Sequence, residues 1–249
     1  MITLFSYPEL YGLEDNNPYG LKVFAFLKLC GLPFDHKHIL DARSAPRAQL
    51  PYVTDGEDAI GDSDAIIAYL KRKYDLSIDA TLTSEQQDLD LLIRRSLDDL
   101  YWVMSYSRWR DPRFWPTFKE QLLKTHADIS ADDLDAAQKY NFQRYHYQGI
   151  GRFEPEDAYA RGVADLRVVA HLLGDREFLF GAQAGSIDAG VYGFVANIFF
   201  YDMDTPLRQF VVSQPNLVRH CRAMRAAISE STGARQRTMP ESREWRAVR

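Results

Sequence analysis

The most informative part of this chain is residues 50–70, LPYVTDGEDAIGDSDAIIAYL. Leu50 to Thr54 and Ala59 to Gly61 are short apolar runs, and the Asp55-Gly56 pair between them is a strong turn signal. This pattern predicts a β-hairpin. A helix is predicted to begin at Ser63, because apolar residues recur after it at spacings of three and four.

The residues before this segment alternate strand and helix signals. Ile2 to Phe5 is a strand candidate, and Phe34 to Leu40 is a second one. Between them, Asn17-Pro18 is typical of the N-cap and first residue of a helix, which we predict to end at Gly31. The first eighty residues therefore predict a β-α-β unit followed by a hairpin and a helix.

The pattern after residue 80 is helical throughout. Ser84, with Gln87 three residues later, predicts a capping box that opens a long helix. Glycine, proline and aspartate residues separate the helices that follow. These helices are predicted over Phe114–Thr125, Ala131–Tyr147, Pro155–Leu173, Asp188–Phe200, Thr205–Ser213 and Asn216–Ser229. The helix from Asp188 is apolar nearly all round, which places it at the centre of the helical part.

Three regions follow from these signals. We predict an α/β N-terminal domain over residues 1–78, an all-α helical bundle over residues 84–234 and an Arg-rich tail over residues 235–249. The tail carries five Arg against two Glu, and Trp245 is its apolar anchor. Because so polar a segment buries little apolar surface, we expect the tail to be peripheral.

Composition excludes several classes of protein. The 249 residues are 46% hydrophobic, which is enough for a sizeable core, and 30 Lys and Arg against 35 Asp and Glu give a net charge of −5. A nucleic-acid partner requires a surplus of basic residues to neutralise phosphates, so we expect none. No apolar run approaches the ~20 residues of a membrane span, and the first residues lack a signal-peptide pattern. We expect a cytoplasmic protein without a membrane span.

The metal-ligating and redox residue types are sparse. Cys30 and Cys221 lie far apart in apolar helical patterns, which offers neither a disulfide framework nor a Cys-rich metal site. His36 and His38 alternate on one strand face, but no third ligand stands at a diagnostic spacing. We expect reduced cysteines that serve packing, and no metal site.

Three local motifs in this order of elements carry a family resemblance. They are Leu50-Pro51-Tyr52-Val53, then Asp62-Ser63-Asp64-Ala65-Ile66-Ile67-Ala68-Tyr69-Leu70, and Gly181 followed by Gly185-Ser186-Ile187-Asp188. Together they resemble the glutathione transferase superfamily. The resemblance implies a thioredoxin-like N-terminal domain and an all-helical C-terminal domain, with a cis proline at Pro51. It also implies a homodimer.

Other details resemble the branch that contains the failed-axon-connections and metaxin-like proteins. These details are the long loop Pro8 to Asn16, the segment Asn17-Pro18-Tyr19-Gly20-Leu21-Lys22, Gly149-Ile150-Gly151-Arg152 and Asp188-Ala189-Gly190-Val191-Tyr192-Gly193. Members of the branch tend to show Ser-Pro-Phe-Cys-Leu-Lys at the second of these. Here Asn17 and Gly20 replace that Ser and Cys, so the branch's hydroxyl or thiol is missing.

The resemblance implies that glutathione is a co-substrate, and the residues offer candidates for each of its groups. Ser63 at a helix N-terminus suits the γ-glutamyl carboxylate, and Asp62, or Asp64 beside it, could pair with the ammonium group. The alternative is that Asp62 or Ser63 only caps the helix, and both roles are compatible. The backbone at Leu50 and Pro51 could pair with the cysteinyl unit.

The thiol requires a donor that favours the thiolate, which is the nucleophile. Tyr7, Tyr11, Asn17 and Tyr19 could each donate, and so could the backbone N–H groups after Asn17. We narrowly favour Asn17 with the helix N-terminus as the catalytic group and place Tyr7 second. The alternative is that Asn17 serves only as the cap and the tyrosines only pack. Lys22 is predicted to be solvated.

Aromatic residues with interleaved arginines predict a pocket for the electrophile between the domains. Tyr101, Trp102, Tyr106 and Trp109 are the candidates, close to Arg108, Arg110 and Arg113. Such a lining suits a small hydrophobic, even anionic, co-substrate. An aromatic packing interface with arginines reaching to solvent is the alternative.

Two functions remain open from the sequence. The first is a glutathione transferase that activates the thiol for attack on an electrophile or for thiol exchange. The second is a non-catalytic module that keeps the fold for protein–protein interaction, as the metaxin-like resemblance implies.

Overall fold

The structure is a computed structural model that describes residues 1–236, with the side chains of the last helix described as far as residue 229. Within these residues, four strands form one mixed sheet in the order β2-β1-β3-β4. The strands are β1 (Ile2–Ser6), β2 (Phe34–His38), β3 (Tyr52–Asp55) and β4 (Asp58–Gly61). β1 runs parallel to β2 and antiparallel to β3, which pairs antiparallel with β4.

The helices divide between the two parts of the chain. Two belong with the sheet, α1 (Pro18–Leu29) and α2 (Ser63–Lys73). The others form the bundle: α3 (Ser84–Trp109), α4 (Trp115–Thr125), α5 (Ala131–Gln148), α6 (Pro155–Leu173), α7 (Ser186–Phe199), α8 (Pro206–Ser213) and α9 (Pro215–Gln236). The predicted fold class, a thioredoxin-like α/β domain followed by an all-α bundle, is confirmed.

Short-range sequence signals determine where most of the helices and strands begin. The Asn17 side chain accepts a hydrogen bond from Tyr19 N at 3.0 Å, and Pro18 is the first residue of α1. The hairpin turn follows Asp55, where Gly56 adopts a φ of 69° that glycine tolerates without strain. The Leu50–Pro51 peptide bond is cis, as the resemblance implied.

The capping box of α3 lies one residue earlier than predicted. Thr83, rather than Ser84, is the N-cap, and its hydroxyl accepts from Gln86 N at 3.2 Å while Gln86 Oε1 accepts from Thr83 N at 3.0 Å. The sequence contains two overlapping matches to the capping pattern. Thr83 has the extended backbone that an N-cap requires, so it takes the role.

Helix α7 is the centre of the bundle, as predicted. Asp188 in its first turn accepts from the backbone N–H groups of Leu179 and Gly185, both at 2.8 Å. At Gly193, the helix lies so close to α1 that an added Cβ would stand 2.4 Å from Pro18 O. Because Gly193 has no side chain, α7 and α1 are in direct backbone contact, and this contact holds the start of α1 against the bundle.

The remaining expectations concern cysteines, metals, membranes and the tail. Both cysteines are free thiols, Cys221 buried and Cys30 partly so. Among the described residues, no group of three or more His, Cys, Asp or Glu could hold a metal ion. Within the same part of the chain, no helix is both long and apolar enough to cross a bilayer. Residues 237–249 of the predicted tail, including Trp245, lie outside the described residues.

Candidate active site

A cavity of about 460 Å³ lies between the α/β domain and the bundle. Tyr7 and Asn17 reach it from the end of β1 and the start of α1. Helices α3, α4 and α5 form the opposite wall, where its lining includes Tyr101, Ser105, Arg108, Trp109, Phe118 and Arg144. We call this space the interdomain cavity. It brings both predicted catalytic residues to the same wall.

Two of the four predicted pocket residues do not line the interdomain cavity. Tyr101 and Trp109 do, on the face of α3 that also carries Arg108. Tyr106 is instead buried in the bundle, with its ring centroid 6.2 Å from that of Tyr159. Trp102 lines a separate, smaller cavity with Gly149 and Phe153. A helix presents residues spaced by three or four, not all neighbours, to one side, so these two do not share the cavity wall with Tyr101 and Trp109.

The cap of α1 determines the orientation of the Asn17 amide. Because Oδ1 accepts from Tyr19 N, the NH₂ group of Asn17 is the part left for the cavity. No hydrogen bond among the described residues uses that NH₂ group. Asn17 can therefore cap the helix and still donate to a ligand, so the two roles do not compete.

The free backbone N–H groups proposed after Asn17 are largely taken. Pro18 has no N–H group, and Tyr19 N donates to the Asn17 side chain. Asn17 N itself donates to Asp15 Oδ1 at 2.7 Å. The start of α1 thus offers its dipole and the Asn17 amide rather than a row of open N–H donors.

Of the candidate tyrosines, Tyr7 alone lines the interdomain cavity. Burial raises the pKa of Tyr7 to about 12, with Tyr101 adding to the effect. Its hydroxyl therefore stays protonated at neutral pH and can donate a hydrogen bond. The Tyr19 hydroxyl donates instead to Asp98 Oδ1 at 3.0 Å, and the Tyr11 ring packs 4.6 Å from Tyr201. Tyr11 and Tyr19 are therefore packing residues.

Asp15 fills the space next to Gly20, where the resemblance had implied a cysteine. A Cβ on Gly20 would stand 1.6 Å from Asp15 Oδ2. Asp15 has no exposed surface, and Oδ2 has no hydrogen-bond partner among the described residues. Burial raises the pKa of this carboxyl well above its ordinary value, against smaller opposing effects of nearby donors. Nothing in the sequence of the loop indicated this residue.

The buried carboxyl gives a testable stability effect. Its native pKa is raised, so the native state binds the proton more tightly than the unfolded state, and stability falls as pH rises from the unfolded toward the native pKa. Asp15→Asn keeps an acceptor for Asn17 N and cannot ionise. In urea titrations, we expect the stability of the variant relative to wild type to increase as the pH rises from about 5 to about 8. An equal stability difference at both pH values contradicts this.

Arg108 has different contacts from Arg110 and Arg113, the two arginines that were predicted beside it. It is 5% exposed, lines the interdomain cavity and donates to Asn16 O at 2.8 Å and Asn197 O at 2.6 Å. Arg113 pairs instead with Asp111 at 2.7 Å, and Arg110 lies over the Phe142 ring. Arg108 therefore places a buried positive charge beside the residue that precedes Asn17.

The predicted glutathione-binding residues lie outside the lining of the interdomain cavity. Asp62 is the N-cap of α2, and its Oδ1 accepts from the N–H groups of Asp64 and Ala65, both at 3.0 Å. The backbone of Leu50, before Pro51 and β3, makes no hydrogen bond within the described residues. The capping role of Asp62 is thus observed, and a ligand role remains a prediction.

Lys22 is buried, not solvated as predicted. Its Nζ pairs with Asp64 Oδ1 and donates to Ser63 Oγ at 3.2 Å. Arg94 Nη1 holds the other oxygen of Asp64 at 2.8 Å. Burial raises the pKa of Asp64, but the two cations outweigh it and leave the pKa below its ordinary value. Asp64 is therefore committed to internal pairing, while the Ser63 hydroxyl accepts from Lys22 and keeps its own proton for a ligand.

Comparison with known proteins identifies the family. Residues 18–114 match the glutathione S-transferase N-terminal domain and residues 162–224 the glutathione S-transferase C-terminal domain. The isoprene-epoxide glutathione S-transferase of Rhodococcus sp. (strain AD45) is 30% identical over 235 residues, which cover 90% of this chain and 98% of that protein. The chain belongs to the glutathione S-transferase family. The resemblance stated from the motifs is thereby confirmed.

Other relatives of the chain belong to the predicted branch. Failed axon connections of Drosophila melanogaster is 28% identical, and the match covers 90% of this chain and 57% of that protein. Metaxin-1 of Bos taurus is 26% identical over 78% of this chain and 64% of its own length. The chain thus spans less than two thirds of these two relatives.

Solved structures of the family share the fold. A glutathione transferase family member from Pseudomonas fluorescens, with two glutathione molecules bound, has a TM-score of 0.60 and 17% identity, covering 92% of this chain and 91% of that one. Similarity at this sequence identity establishes the fold and does not by itself establish the chemistry of the site.

Proposed function

We propose that this chain is a glutathione transferase that binds glutathione and activates its thiol, so that the sulfur bonds to a small hydrophobic electrophile and the whole glutathionyl group is transferred, or so that the thiol exchanges with another thiol. The observation that carries the proposal is the meeting of two unused donors, the Asn17 amide and the Tyr7 hydroxyl, at the wall of the interdomain cavity. The relative from Rhodococcus, named for an isoprene epoxide, supports a small electrophile.

Two positive features near Asn17 favour a thiolate. The start of α1 carries the positive end of the helix dipole, and the buried guanidinium of Arg108 lies beside Asn16. A positive field and a hydrogen-bond donor both lower the pKa of a bound thiol. In transfer to an epoxide, the thiolate sulfur forms the new bond to carbon, the ring carbon–oxygen bond breaks, and the oxygen takes a proton from solvent.

The rest of glutathione is proposed to lie over the edge of the sheet. The first turn of α2, with the free proton of the Ser63 hydroxyl, suits the γ-glutamyl carboxylate, and Asp62 suits the ammonium group. The unpaired backbone of Leu50 is available to the cysteinyl unit. This arrangement leaves the interdomain cavity for the electrophile, with Tyr101 and Trp109 on its wall.

Ser63→Ala is expected to weaken glutathione binding at least tenfold. Removing the hydroxyl leaves a charged ligand group underpaired, which costs about 1–3 kcal/mol. Calorimetry with glutathione measures the change, and an unfolding curve establishes that the variant is folded, since Ser63 also contacts Lys22. Ser130→Ala is a matched control, because Ser130 caps α5 away from α2. Wild-type affinity in a folded Ser63→Ala variant refutes the assignment of Ser63.

A non-catalytic module for protein–protein interaction is the second candidate. The observation that favours it is the loss of the branch's serine and cysteine, with Asp15 filling the space beside Gly20. Calorimetry separates the two functions. Glutathione binding in the micromolar to low millimolar range supports the transferase, and no heat at several millimolar supports the module. The predicted homodimer is part of the proposal, and light scattering measures it.

A further inference from the structure

Arg144 on α5 is a cavity cation that has only neutral contacts. Its Nη1 donates to Asn141 Oδ1 at 2.9 Å, and the guanidinium carbon lies 5.1 Å from the ring centroid of Trp102. The Tyr101 side chain also interacts electrostatically with Arg144. In the part of the chain that the structure describes, no carboxylate forms an ion pair with Arg144.

Arg94 is another partly buried arginine of this chain, and its charge is compensated by carboxylates. That guanidinium pairs with both Asp64 and Asp90, each at 2.8 Å. Arg108 and Arg144 depart from this pattern, and both line the interdomain cavity. Removing a charge from water is unfavourable unless an opposite charge compensates it, so two such cations on one cavity favour an anionic ligand there.

The acidic residues of the cavity wall do not supply that compensation. Asp41 is bound to Arg43, and both are well exposed at the rim. Asp133 accepts from Ser130 at the exposed start of α5, and Asp128 is also exposed. Among the charged residues that line the cavity, the less exposed ones are therefore Arg108 and Arg144, and both are cations.

The thiolate of bound glutathione would compensate the charge of one of the two arginines. Arg108 donates to Asn16 O, next to the proposed position of the thiolate, and so faces that negative charge. Arg144 stands on the opposite wall, on the helix that contributes Tyr140 and Asn141. The proposed positions of the two glutathione carboxylates are outside the cavity lining, so Arg144 is left for the second substrate.

We propose that the electrophile is an organic anion, a small hydrophobic compound with a carboxylate that pairs with Arg144. This inference rests on the proposed transfer reaction. Guanidinium and carboxylate match in shape and charge, and the Tyr101 hydroxyl beside Arg144 adds a second polar group. Trp109 and Phe118 contact the apolar part of the compound. Arg144 is thus a specificity-determining residue.

The test compares two epoxides that differ in one group. One is an epoxy carboxylate and the other is the corresponding neutral carboxamide. For each epoxide, kcat/KM with glutathione is divided by the rate at which the same epoxide reacts with glutathione in the absence of protein. We expect wild type to prefer the acid at least tenfold. Arg144→Gln is expected to bring the ratio close to one, and Arg144→Lys to keep part of it. Arg95→Gln, on the exposed side of α3, is the control that retains the wild-type ratio.

Each outcome has a defined meaning. Turnover of both epoxides at equal normalised rates overturns this inference and leaves the transferase proposal standing. If Arg144→Gln weakens glutathione binding as much as it lowers turnover of the acid, the anion at Arg144 is glutathione's own carboxylate, and the inference is wrong. If neither epoxide reacts, the chain does not transfer glutathione to epoxides, and binding of glutathione in calorimetry decides whether thiol exchange stands as the proposed chemistry. Calorimetry with the saturated acid and amide then decides on Arg144, and equal affinities overturn the inference.

Discussion

Asn17→Ala is expected to raise the pKa of the thiol of bound glutathione and to lower turnover about 10²-fold, the effect typical of removing a donor that stabilises developing charge. Asn17 supplies an unused NH₂ group at the interdomain cavity, at the positive end of the α1 dipole. Without that donor, a smaller fraction of thiol is ionised at neutral pH. The measurement is the absorbance of the thiolate, followed as a function of pH in the complex.

Two further substitutions at Asn17 separate donation from capping. Asn17→Asp retains an oxygen for Tyr19 N, so α1 keeps its cap, but it places a carboxylate where the amide donated. We expect it to fold like wild type and to lose turnover as Asn17→Ala does. Asn17→Ser keeps both the cap and a donor, and it is expected to retain most of the activity. Wild-type activity in both the serine and the aspartate variants would show that position 17 acts only through the helix cap.

Tyr7→Phe is the competing variant. The Tyr7 hydroxyl also reaches the cavity and stays protonated because burial raises its pKa. We expect Tyr7→Phe to raise the thiol pKa less than Asn17→Ala, since the helix dipole and Arg108 remain in place. The reverse order assigns the thiolate to Tyr7. Absence of thiolate in wild type between about pH 6 and about pH 8 favours the non-catalytic module.

Local rules were sufficient for the elements of the fold. The cap at Asn17-Pro18, the turn after Asp55 and the helix start at Ser63 each depend on a few neighbouring residues, so the sequence alone predicted them. Thr83 shows the limit of such rules. Where two overlapping capping patterns exist, the backbone of the preceding loop decides between them, and that is set by packing.

The site depended on contacts between distant segments. Tyr101 and Trp109 were predicted beside Trp102 and Tyr106 because composition does not reveal which face of α3 meets the cavity. Asp15 could not be singled out, because its burial depends on the missing side chain at Gly20.

Lys22 was misassigned for a similar reason. The close approach of α7 at Gly190 and Gly193 covers Lys22, a residue that helical periodicity alone would place in solvent. Glycine at 193 allows contact between the two helices with no side chain between them. The sequence shows these glycines, but it does not show which helix they face.

The buried pair that results predicts the largest effect on stability. Asp64→Asn is expected to lower the free energy of unfolding by about 3 kcal/mol, the lower end of the range for breaking a buried pair, because it leaves Lys22 without its anion while Asp64 itself is 32% exposed. This corresponds to a fall in Tm of roughly 10 °C for a chain of this size. Urea and thermal unfolding measure it.

A double variant tests whether the uncompensated charge is the cause. Lys22→Met in the Asp64→Asn background removes the buried ammonium and keeps a flexible side chain of similar length, so we expect most of the lost stability to return. Lys22→Met alone is expected to cost less than Asp64→Asn, since Arg94 still holds Asp64 at 2.8 Å. A double variant no more stable than Asp64→Asn would contradict the ion pair as the source.

The pH dependence gives an independent test of the same pair. Lys22 and Arg94 hold the native pKa of Asp64 below its unfolded value despite burial, so the contribution of Asp64 is present above the unfolded pKa and is lost as pH falls through the native one. Wild type should therefore lose its advantage over Asp64→Asn in acid. Because Lys22 also holds Ser63, Asp64→Asn is expected to weaken glutathione binding as well, and the double variant shows whether that loss follows stability or the Lys22 contact.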